Sequence, residues 1–235
     1  MTSTAGRSVW KLMNTSLVLR ERGRYEEALW YAEEALQVDP GNVFAWCNKG
    51  DVLFDLGKYE EAIECYRTGL EKHSELMEAW YNMGVAFYNL GRYEEAIECY
   101  DKALQIKSHD AAAWYNRGNA LLELGRYEEA VESYRRALEI NPEYTKAWNN
   151  MGVALSNLGR EEEAIECYDR ILEIDPGDAV AWMNKGVSIA KLHRYEEAIE
   201  HFNVALEICP WDELALKNRE IARQLLQETG EDEQS

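Results

Sequence analysis

The tightest constraint on this chain is a 34-residue step that returns the same residue types in register. Trp46, Trp80, Trp114, Trp148 and Trp182 are spaced by it, as are Gly23, Gly57, Gly91, Gly125 and Gly159, with His193 at the next place. Ala28, Ala62, Ala96, Ala130, Ala164 and Ala198 keep the same step. A fixed period of this length means that each unit is a small element unable to bury its apolar face alone, and that neighbours stack to make a continuous core. The units are 9–42, 43–76, 77–110, 111–144, 145–178 and 179–212. Positions within a unit are numbered from 1 to 34.

Each unit reads as two helices. Positions 4, 7, 8 and 11, such as Trp80, Met83, Gly84 and Phe87, fall within about 100° of arc at the helical turn angle, which makes one packing face. Position 15 is usually glycine, suited to the left-handed residue that ends a helix. The second helix begins near a repeated Tyr-Glu-Glu-Ala and buries positions 20, 24, 27 and 28, such as Ala96, Tyr100, Ala103 and Leu104. Its glutamates meet the helix dipole favourably in the first turn. Glu98–Lys102, Glu132–Arg136 and Glu166–Arg170 have the spacing of helical ion pairs worth about 0.2–0.5 kcal/mol each. The tyrosine at position 17 is expected to wedge between the paired helices, and the acidic stripe to face solvent. Pro40, Pro142, Pro176 and Pro210 stop the second helix, and Ser74 and Ser108 are expected to serve as N-caps at the two junctions that lack proline.

The pattern Trp-x-x-Met-Gly-x-x-Phe, Gly-x-Tyr-x-x-Ala, Tyr-x-x-Ala and Pro closely resembles the tetratricopeptide repeat, over 9–212. The resemblance implies an all-α, right-handed α-solenoid of antiparallel helix pairs, first helices lining a concave side and second helices a convex one. The segment 213–228 then reads as a capping helix, because Arg219 and Glu220 stand at positions 7 and 8, and position 8 is Gly or Ser in all six repeats. Residues 1–8 and the acidic 229–235 are expected to be disordered.

Charge and composition exclude several functions. A net charge of −19 without clustered Lys or Arg opposes nucleic-acid binding. Nothing approaches the apolar run a membrane helix needs, and the start MTSTAGRSVWKL has no signal-peptide core, so a cytoplasmic protein is expected. Five cysteines without a Cys-x-x-Cys pair point to reduced thiols rather than zinc or a disulfide framework. Cys65, Cys99 and Cys167 share position 23, too far apart in a stack for disulfides. His193, Glu197 and His201 have helical spacing, but His193 falls in a turn. No catalytic residue, metal site or cofactor is assigned.

Function is sought on the face opposite the tryptophans, at positions 2, 6, 9 and 13 of the first helix. Position 6 is Asn14, Asn48, Asn82, Asn116, Asn150 and Asn184, and Asn218 in the cap. Asparagine is a middling helix former, so helix stability does not explain the row. Its amide matches a peptide unit in donor and acceptor. With first helices about 10 Å apart and an extended chain advancing about 3.3 Å per residue, a guest peptide meets one asparagine about every three residues. The row resembles the asparagine ladder of the O-GlcNAc transferase family and of importin-type armadillo proteins, where such amides hold a ligand's backbone. The competing reading is that each asparagine bonds a neighbouring helix.

Around the row, Trp10, Met13, Leu17, Phe44, Phe54, Tyr81, Val85, Tyr88, Tyr115, Leu122, Val153, Met183 and Val187 make the groove apolar. Asp51, Asp55, Glu78 and Glu123 make its first two-thirds acidic, and Lys146 and Lys191 lie towards the far end. The lysine and arginine clamp by which some tetratricopeptide co-chaperones grip a C-terminal carboxylate is missing; only Asn119 with Asn150 matches in part. The expected partner is therefore a protein or peptide, neutral to basic with apolar anchors. Self-association is the alternative, prompted by the small Thr15, Ser16 and Ala32 of the first repeat. A metal- or thiol-dependent enzyme on the His193 helix is a weaker one.

Overall fold

The structure, a computed structural model, describes residues 4–232, with side-chain surroundings for 9–228. The described residues form thirteen helices and no strand: α1 (Thr4–Glu21), α2 (Tyr25–Val38), α3 (Val43–Asp55), α4 (Tyr59–Lys72), α5 (Met77–Asn89), α6 (Tyr93–Ile106), α7 (Ala111–Glu123), α8 (Tyr127–Ile140), α9 (Thr145–Asn157), α10 (Glu161–Ile174), α11 (Ala179–Lys191), α12 (Tyr195–Ile208) and α13 (Glu213–Asp232). The chain makes two compact units, Met1–Ala120 and Leu121–Ser235. In the first, α1–α2, α3–α4 and α5–α6 are pairs, and α1, α3 and α5 touch in succession. In the second, α9–α10 and α11–α12 are pairs, α8 packs on α9, and α13 closes against α12 and α11. This is the all-α tetratricopeptide solenoid fold, six repeats followed by a capping helix.

One contact recurs at the centre of four pairs, α3–α4, α5–α6, α9–α10 and α11–α12: the ring at position 24 lies on the glycine at position 8. The first pair has Ser16 and Ala32 at these positions. Tyr66 and Tyr100 are 1% exposed, and a Cβ on Gly50 or Gly84 would stand 2.7 or 2.8 Å from their Cε1 atoms. In the second unit, Gly152 would meet Tyr168, and Gly186 would meet Phe202, at 2.7 Å. Only the missing side chain lets the ring seat on the helix.

The turn after each first helix is set by the left-handed glycine at position 15. Gly91 has φ +71°, its N–H reaches Tyr88 O at 2.9 Å, and Arg92 N–H reaches Phe87 O at 2.9 Å. His193 holds the same conformation at φ 61°, in the region that costs a residue bearing a Cβ about 1–2 kcal/mol.

The tryptophans tie one repeat to the next. Each indole Nε1–H donates to the carbonyl at position 32 of the preceding unit: Trp46 to Pro40, Trp80 to Ser74, Trp114 to Ser108, Trp148 to Pro142 and Trp182 to Pro176, at 2.8–3.0 Å. Ser74 and Ser108 are therefore not N-caps. They lie two residues too early, and their carbonyls receive the indoles. The caps fall at position 34, where Asn42, Asp110, Asp178 and Asp212 accept the N–H three residues on, while Leu76 makes no side-chain cap.

The acidic stripe is paired more tightly than expected. The second glutamate of each Glu-Glu meets the basic residue at position 16, as in Arg126–Glu129 (2.7 Å) and Arg160–Glu163 (2.6 Å), with Lys58–Glu61 looser at 3.8 Å. Of the three expected i, i+4 pairs, Glu132–Arg136 forms at 3.0 Å. Arg170 instead reaches forward to Glu173, and Lys102 stays apart from Glu98 beside a crevice between second helices. The tyrosine wedge holds in the first unit, where Phe54–Tyr59 and Tyr88–Tyr93 rings meet at 5.2 and 5.3 Å. Repeat five replaces this aromatic pair with Ser156 and the buried Glu161, joined at 2.8 Å and neutralised by Lys191 at 3.1 Å.

The ends differ from expectation. Residues 4–8 continue α1 and 229–232 continue α13, neither flank carrying a proline to stop the helix; residues 1–3 and 233–235 lie outside the described residues. Ser16 and Ala32 leave no opening at the N-terminal end. Both are fully buried inside the first pair, with Ser16 Oγ donating to Ala28 O at 2.8 Å.

Replacing Gly84 with Val puts branched bulk against the fixed Tyr100 ring and is expected to cost about 1–3 kcal/mol, read as a lower urea midpoint. Gly91→Ala, which meets no atom within 4 Å, is expected to cost only about 1–2 kcal/mol of backbone strain. An unchanged midpoint for Gly84→Val would refute the ring-on-glycine contact.

Candidate functional site

The first-helix face of the first unit is built around Asp51. Its Oδ1 accepts from Tyr66 Oη–H at 2.8 Å and from Asn82 Nδ2–H at 2.9 Å. Arg20 lies 3.2 Å from its Oδ2 and also bonds Asp55 at 2.6 Å. Burial pushes the Asp51 carboxyl above its ordinary range even though Tyr66, Arg20 and Asn82 all favour the charged form. Burial also raises the Tyr66 phenol, and the Asp51 charge raises it further. The carboxylate is thus a desolvated charge that its partners do not fully compensate.

Two clefts open on either side of this hub, both lined by Asp51 and Asn82. One, of about 200 Å³, is bounded by Arg20, Phe54, Asp55, Tyr81, Val85 and Asn116. The other, of about 340 Å³, is bounded by Phe44, Cys47, Leu76, Glu78 and Ala79. Beside them Trp10 and Phe44 stand 62% and 53% exposed with ring centroids 6.3 Å apart, and Leu17 is also exposed. Tyr88, Tyr115 and Asn119 are half-buried on the same helices.

In the second unit the face is less acidic. Val187, Lys191, Asn218, Ile221 and Leu225 border a cleft of about 250 Å³. Leu122 and Val153 are half-buried. Met183, expected in the groove, is instead 7% exposed and packs into the core with Phe202 and Ala222; Met13 is likewise 8% exposed. Position 5 leans towards the neighbouring repeat, so a methionine there is covered. Lys191 is held by Ser156 Oγ at 2.7 Å and by Glu161.

The asparagines behave largely as struts. Asn116 Nδ2–H donates to Tyr81 Oη at 2.8 Å, Asn184 to Asn149 Oδ1 at 2.9 Å and Asn218 to Met183 Sδ at 3.7 Å. Each acceptor is position 5 of the preceding repeat, and Asn82 reaches position 9 of the preceding repeat at Asp51. Asn150 accepts from Asn149 at 3.1 Å. This is the neighbouring-helix alternative for the amide N–H of these four. The exceptions lie at the N-terminal end: Asn14 is exposed, and Asn48 has a buried Oδ1 without a partner. Sequence reasoning missed Arg20. The signal was present, since Arg at position 12 stands 31 and 35 residues before the two aspartates.

The weaker enzymatic constellation does not converge. His193 Nδ1 meets Tyr195 Oη at 2.8 Å, His201 Nδ1 faces the Glu197 carbonyl at 2.8 Å, and the Glu197 carboxylate is taken by Arg194. Among the described residues, no group of three His, Cys, Asp or Glu could hold a metal ion. Burial raises the Cys65 thiol to about 11 and those of Cys47, Cys99 and Cys167 to about 12, far from thiolate chemistry.

A family model, the cilia and flagella-associated protein 70 C-terminal domain, matches residues 11–229. No curated protein matches the chain. Among solved structures, YrrB, described as a TPR protein with an unusual peptide-binding site, is 28% identical with a TM-score of 0.73, over 80% of this chain and 97% of its own. MamA of Desulfovibrio magneticus is 23% identical over 73% and 97%, with a TM-score of 0.68. PilF of Pseudomonas aeruginosa is 19% identical over 92% and 98%, with a TM-score of 0.74. The last two are likenesses of fold alone.

Asn116→Ala and Tyr81→Phe are each expected to lower stability by about 0.5–1.5 kcal/mol, the worth of one such bond. Because both remove the same bond, the double variant should lose less than the sum, with coupling of about 0.5 kcal/mol or more in urea unfolding. Strict additivity would place Asn116 elsewhere.

Proposed function

The chain belongs to the cilia and flagella-associated protein 70 C-terminal domain family, and from that premise we propose that it is a non-enzymatic interaction scaffold that takes an extended peptide on its first-helix faces. Likeness to other tetratricopeptide proteins supports the scaffold in general, and YrrB, by its description, has a peptide-binding site. The observation that carries the finer reading is the first-unit face. Exposed Trp10 and Phe44 stand there beside Glu78 and the under-compensated Asp51. A basic segment with an apolar anchor matches it: the anchor lies on the rings, and the cation enters between the carboxylates.

In this reading the asparagines have divided roles. Asn82, Asn116, Asn184 and Asn218 hold repeats in register and keep an oxygen and a second N–H for a guest backbone. Asn14 serves the guest alone. A cytoplasmic setting is part of the proposal; among the described residues no helix is long and apolar enough to cross a membrane.

The test is an array of synthetic peptides varied in charge and apolar content, followed by titration of the best binder. Basic peptides with an aromatic anchor should bind. Phe44→Ala with Glu78→Lys should weaken them about tenfold or more, equivalent to 1.4 kcal/mol, and Asn14→Ala should weaken them without lowering the melting temperature. Binding indifferent to all three would overturn the proposal.

A second reading, self-association through the C-terminal end, is favoured by Trp211, Leu214 and Leu216, which are 86%, 52% and 40% exposed. It predicts a sedimentation coefficient that rises with concentration and ceases to do so in Trp211→Ser/Leu216→Ser. Concentration-independent sedimentation of the wild type would dismiss it.

A further inference from the structure

The 34-residue repeat carries a second rhythm of twice that length. Position 7 of the first helix is a cation in the second, fourth and sixth repeats, and methionine in the third and fifth. Position 25 of the preceding second helix alternates with it: Glu33, Asp101 and Asp169 stand before the cations, Arg67 and Arg135 before the methionines. The structure joins the first set across each junction, as Lys49–Glu33 at 2.9 Å, Arg117–Asp101 at 2.7 Å and Lys185–Asp169 at 2.6 Å. Arg117 and Lys185 lie over the position-4 rings of Trp114 and Trp182, 5.8 Å from each centroid. At the Arg117 and Lys185 junctions a cationic side chain with its aliphatic stem covers the tryptophan and ends on an acid; at the first, Lys49 ends on its acid.

At the methionine junctions that cover is missing, and a crevice stands in its place. Between α4 and α6 it measures about 440 Å³, with Trp80, Met83 and Phe87 on its floor and Arg67 and Lys102 on opposite walls. Between α8 and α10 it measures about 210 Å³, with Trp148, Met151 and Leu155 on its floor and Arg135 and Arg170 on the walls. The same register opens in both units. Both crevices lie between second helices, and the one in the first unit is lined by neither Asp51 nor Phe44.

The rim charges separate into committed and available ones. Glu95 and Glu163 are held by Arg92 and Arg160 of their own helices. Arg67 and Arg135 form ion pairs with exposed same-helix partners, Glu64 and Glu132, a kind of contact worth a few tenths of a kcal/mol. Each also helps Arg92 or Arg160 to lower the carboxyl across its crevice, Glu95 or Glu163. Lys102 makes no ion pair among the described residues. Glu71, Glu98 and Glu166 also stand on the rims; Glu98 and Glu166 project from the same helix as Lys102 and Arg170 and Glu71 from the same helix as Arg67, so the position-25 arginine is the cation of the helix opposite.

We propose that the two methionine-junction crevices are a second interaction surface, each accepting an apolar side chain flanked by a carboxylate from a partner protein. The guest inverts the arrangement of the neighbouring junctions. Its apolar group lies on Trp and Met where the Lys or Arg stem lies elsewhere, and its carboxylate meets the position-25 arginine where the acid stands elsewhere. The requirement is opposite in charge to that of the first-helix face, so the two surfaces select different segments.

Met83 and Met151 are 5% and 8% exposed, so their ε-methyls report from beneath the crevices, next to the more exposed tryptophans. Carbon-13 methyl spectra are followed while acetyl-Phe-Glu-amide, acetyl-Phe-Lys-amide or acetyl-Ala-Glu-amide is added. Met83 and Met151 should shift with acetyl-Phe-Glu-amide, at an affinity about fivefold above that of the lysine probe, the scale of one exposed charge contact. The alanine probe should shift them less, and Met13 and Met183 should stay still. Arg67→Glu, a change at an exposed position, should reverse the charge preference at Met83 and leave Met151 unaffected. Arg67→Asp/Met83→Lys installs the pairing native to the adjacent junctions; it should abolish the response of the Trp80 indole while Met151 still responds. Equal affinity for the Glu and Lys probes, shifts at neither methionine, or a Trp80 response surviving in the double variant would overturn the proposal. So would a concentration-dependent dimer lost in that variant, which would put a second copy of the chain in the crevice.

Discussion

The ring at position 24 against the glycine at position 8 is the contact from which the rest of the structure follows. Tyr66, Tyr100, Tyr168 and Phe202 each press on a helix that has no Cβ to hold them off. That contact sets the closeness of the two helices in a pair, and the left-handed residue at position 15 reverses the chain so that they can meet. Once the pair is fixed, the position-4 indole projects back to the carbonyl at position 32 of the unit before. One interaction makes the pair and another joins pairs; the first repeat departs from both, with Ser16, Ala32 and Leu12 at positions 8, 24 and 4. Variation accumulates at positions outside these contacts and the buried core.

Much of this was legible in the sequence, because packing positions repeat and repetition averages away local ambiguity. The helix pairs, the buried Ala96, Tyr100, Ala103 and Leu104, and the glycine turns follow from period and phase. What failed were details that depend on a single atom. Ser74 and Ser108 looked like N-caps because serine often is one, yet their carbonyls mattered and their hydroxyls did not. Met183 looked like a groove residue because helical angle places position 5 near the groove; the adjacent first helix covers it.

The asparagine row shows why a repeated polar residue resists reading from sequence. The same amide can hold a ligand or a neighbour, and which it does depends on what stands at position 5 of the previous repeat. Tyr81, Asn149 and Met183 all present an acceptor there, so the amide hydrogen turns inward. Asn14, in the first of the six repeats, is exposed. Asp51 is the counterpart at position 9. In the second repeat alone an acid stands there, and it gathers Arg20, Tyr66 and Asn82 into a cluster that no other junction has. Local departures from the repeat, rather than the repeat itself, therefore give the first-helix face its chemistry.

The departures are also coupled, which separates them from random drift. The Tyr-to-Glu change at 161 comes with Ser156 on the facing helix and Lys191 one repeat later, so that a buried carboxylate is bonded and neutralised. The exchange at position 7 comes with an exchange at position 25. Had Met83 and Met151 merely replaced a cation, an acid would have been left on each wall without a partner; instead the wall carries arginine. A junction can thus be closed by its own ion pair or left as an apolar floor beside an exposed guanidinium, and the chain uses both solutions in turn. Stability accounts for the closed form, because a cation with an aliphatic stem covers tryptophan and satisfies an acid together. It does not account for the open form, which leaves Trp80 and Trp148 beside an unfilled crevice at the same register in both units. In the proposed reading, a guest supplies the stem and the acid that the closed junctions carry themselves.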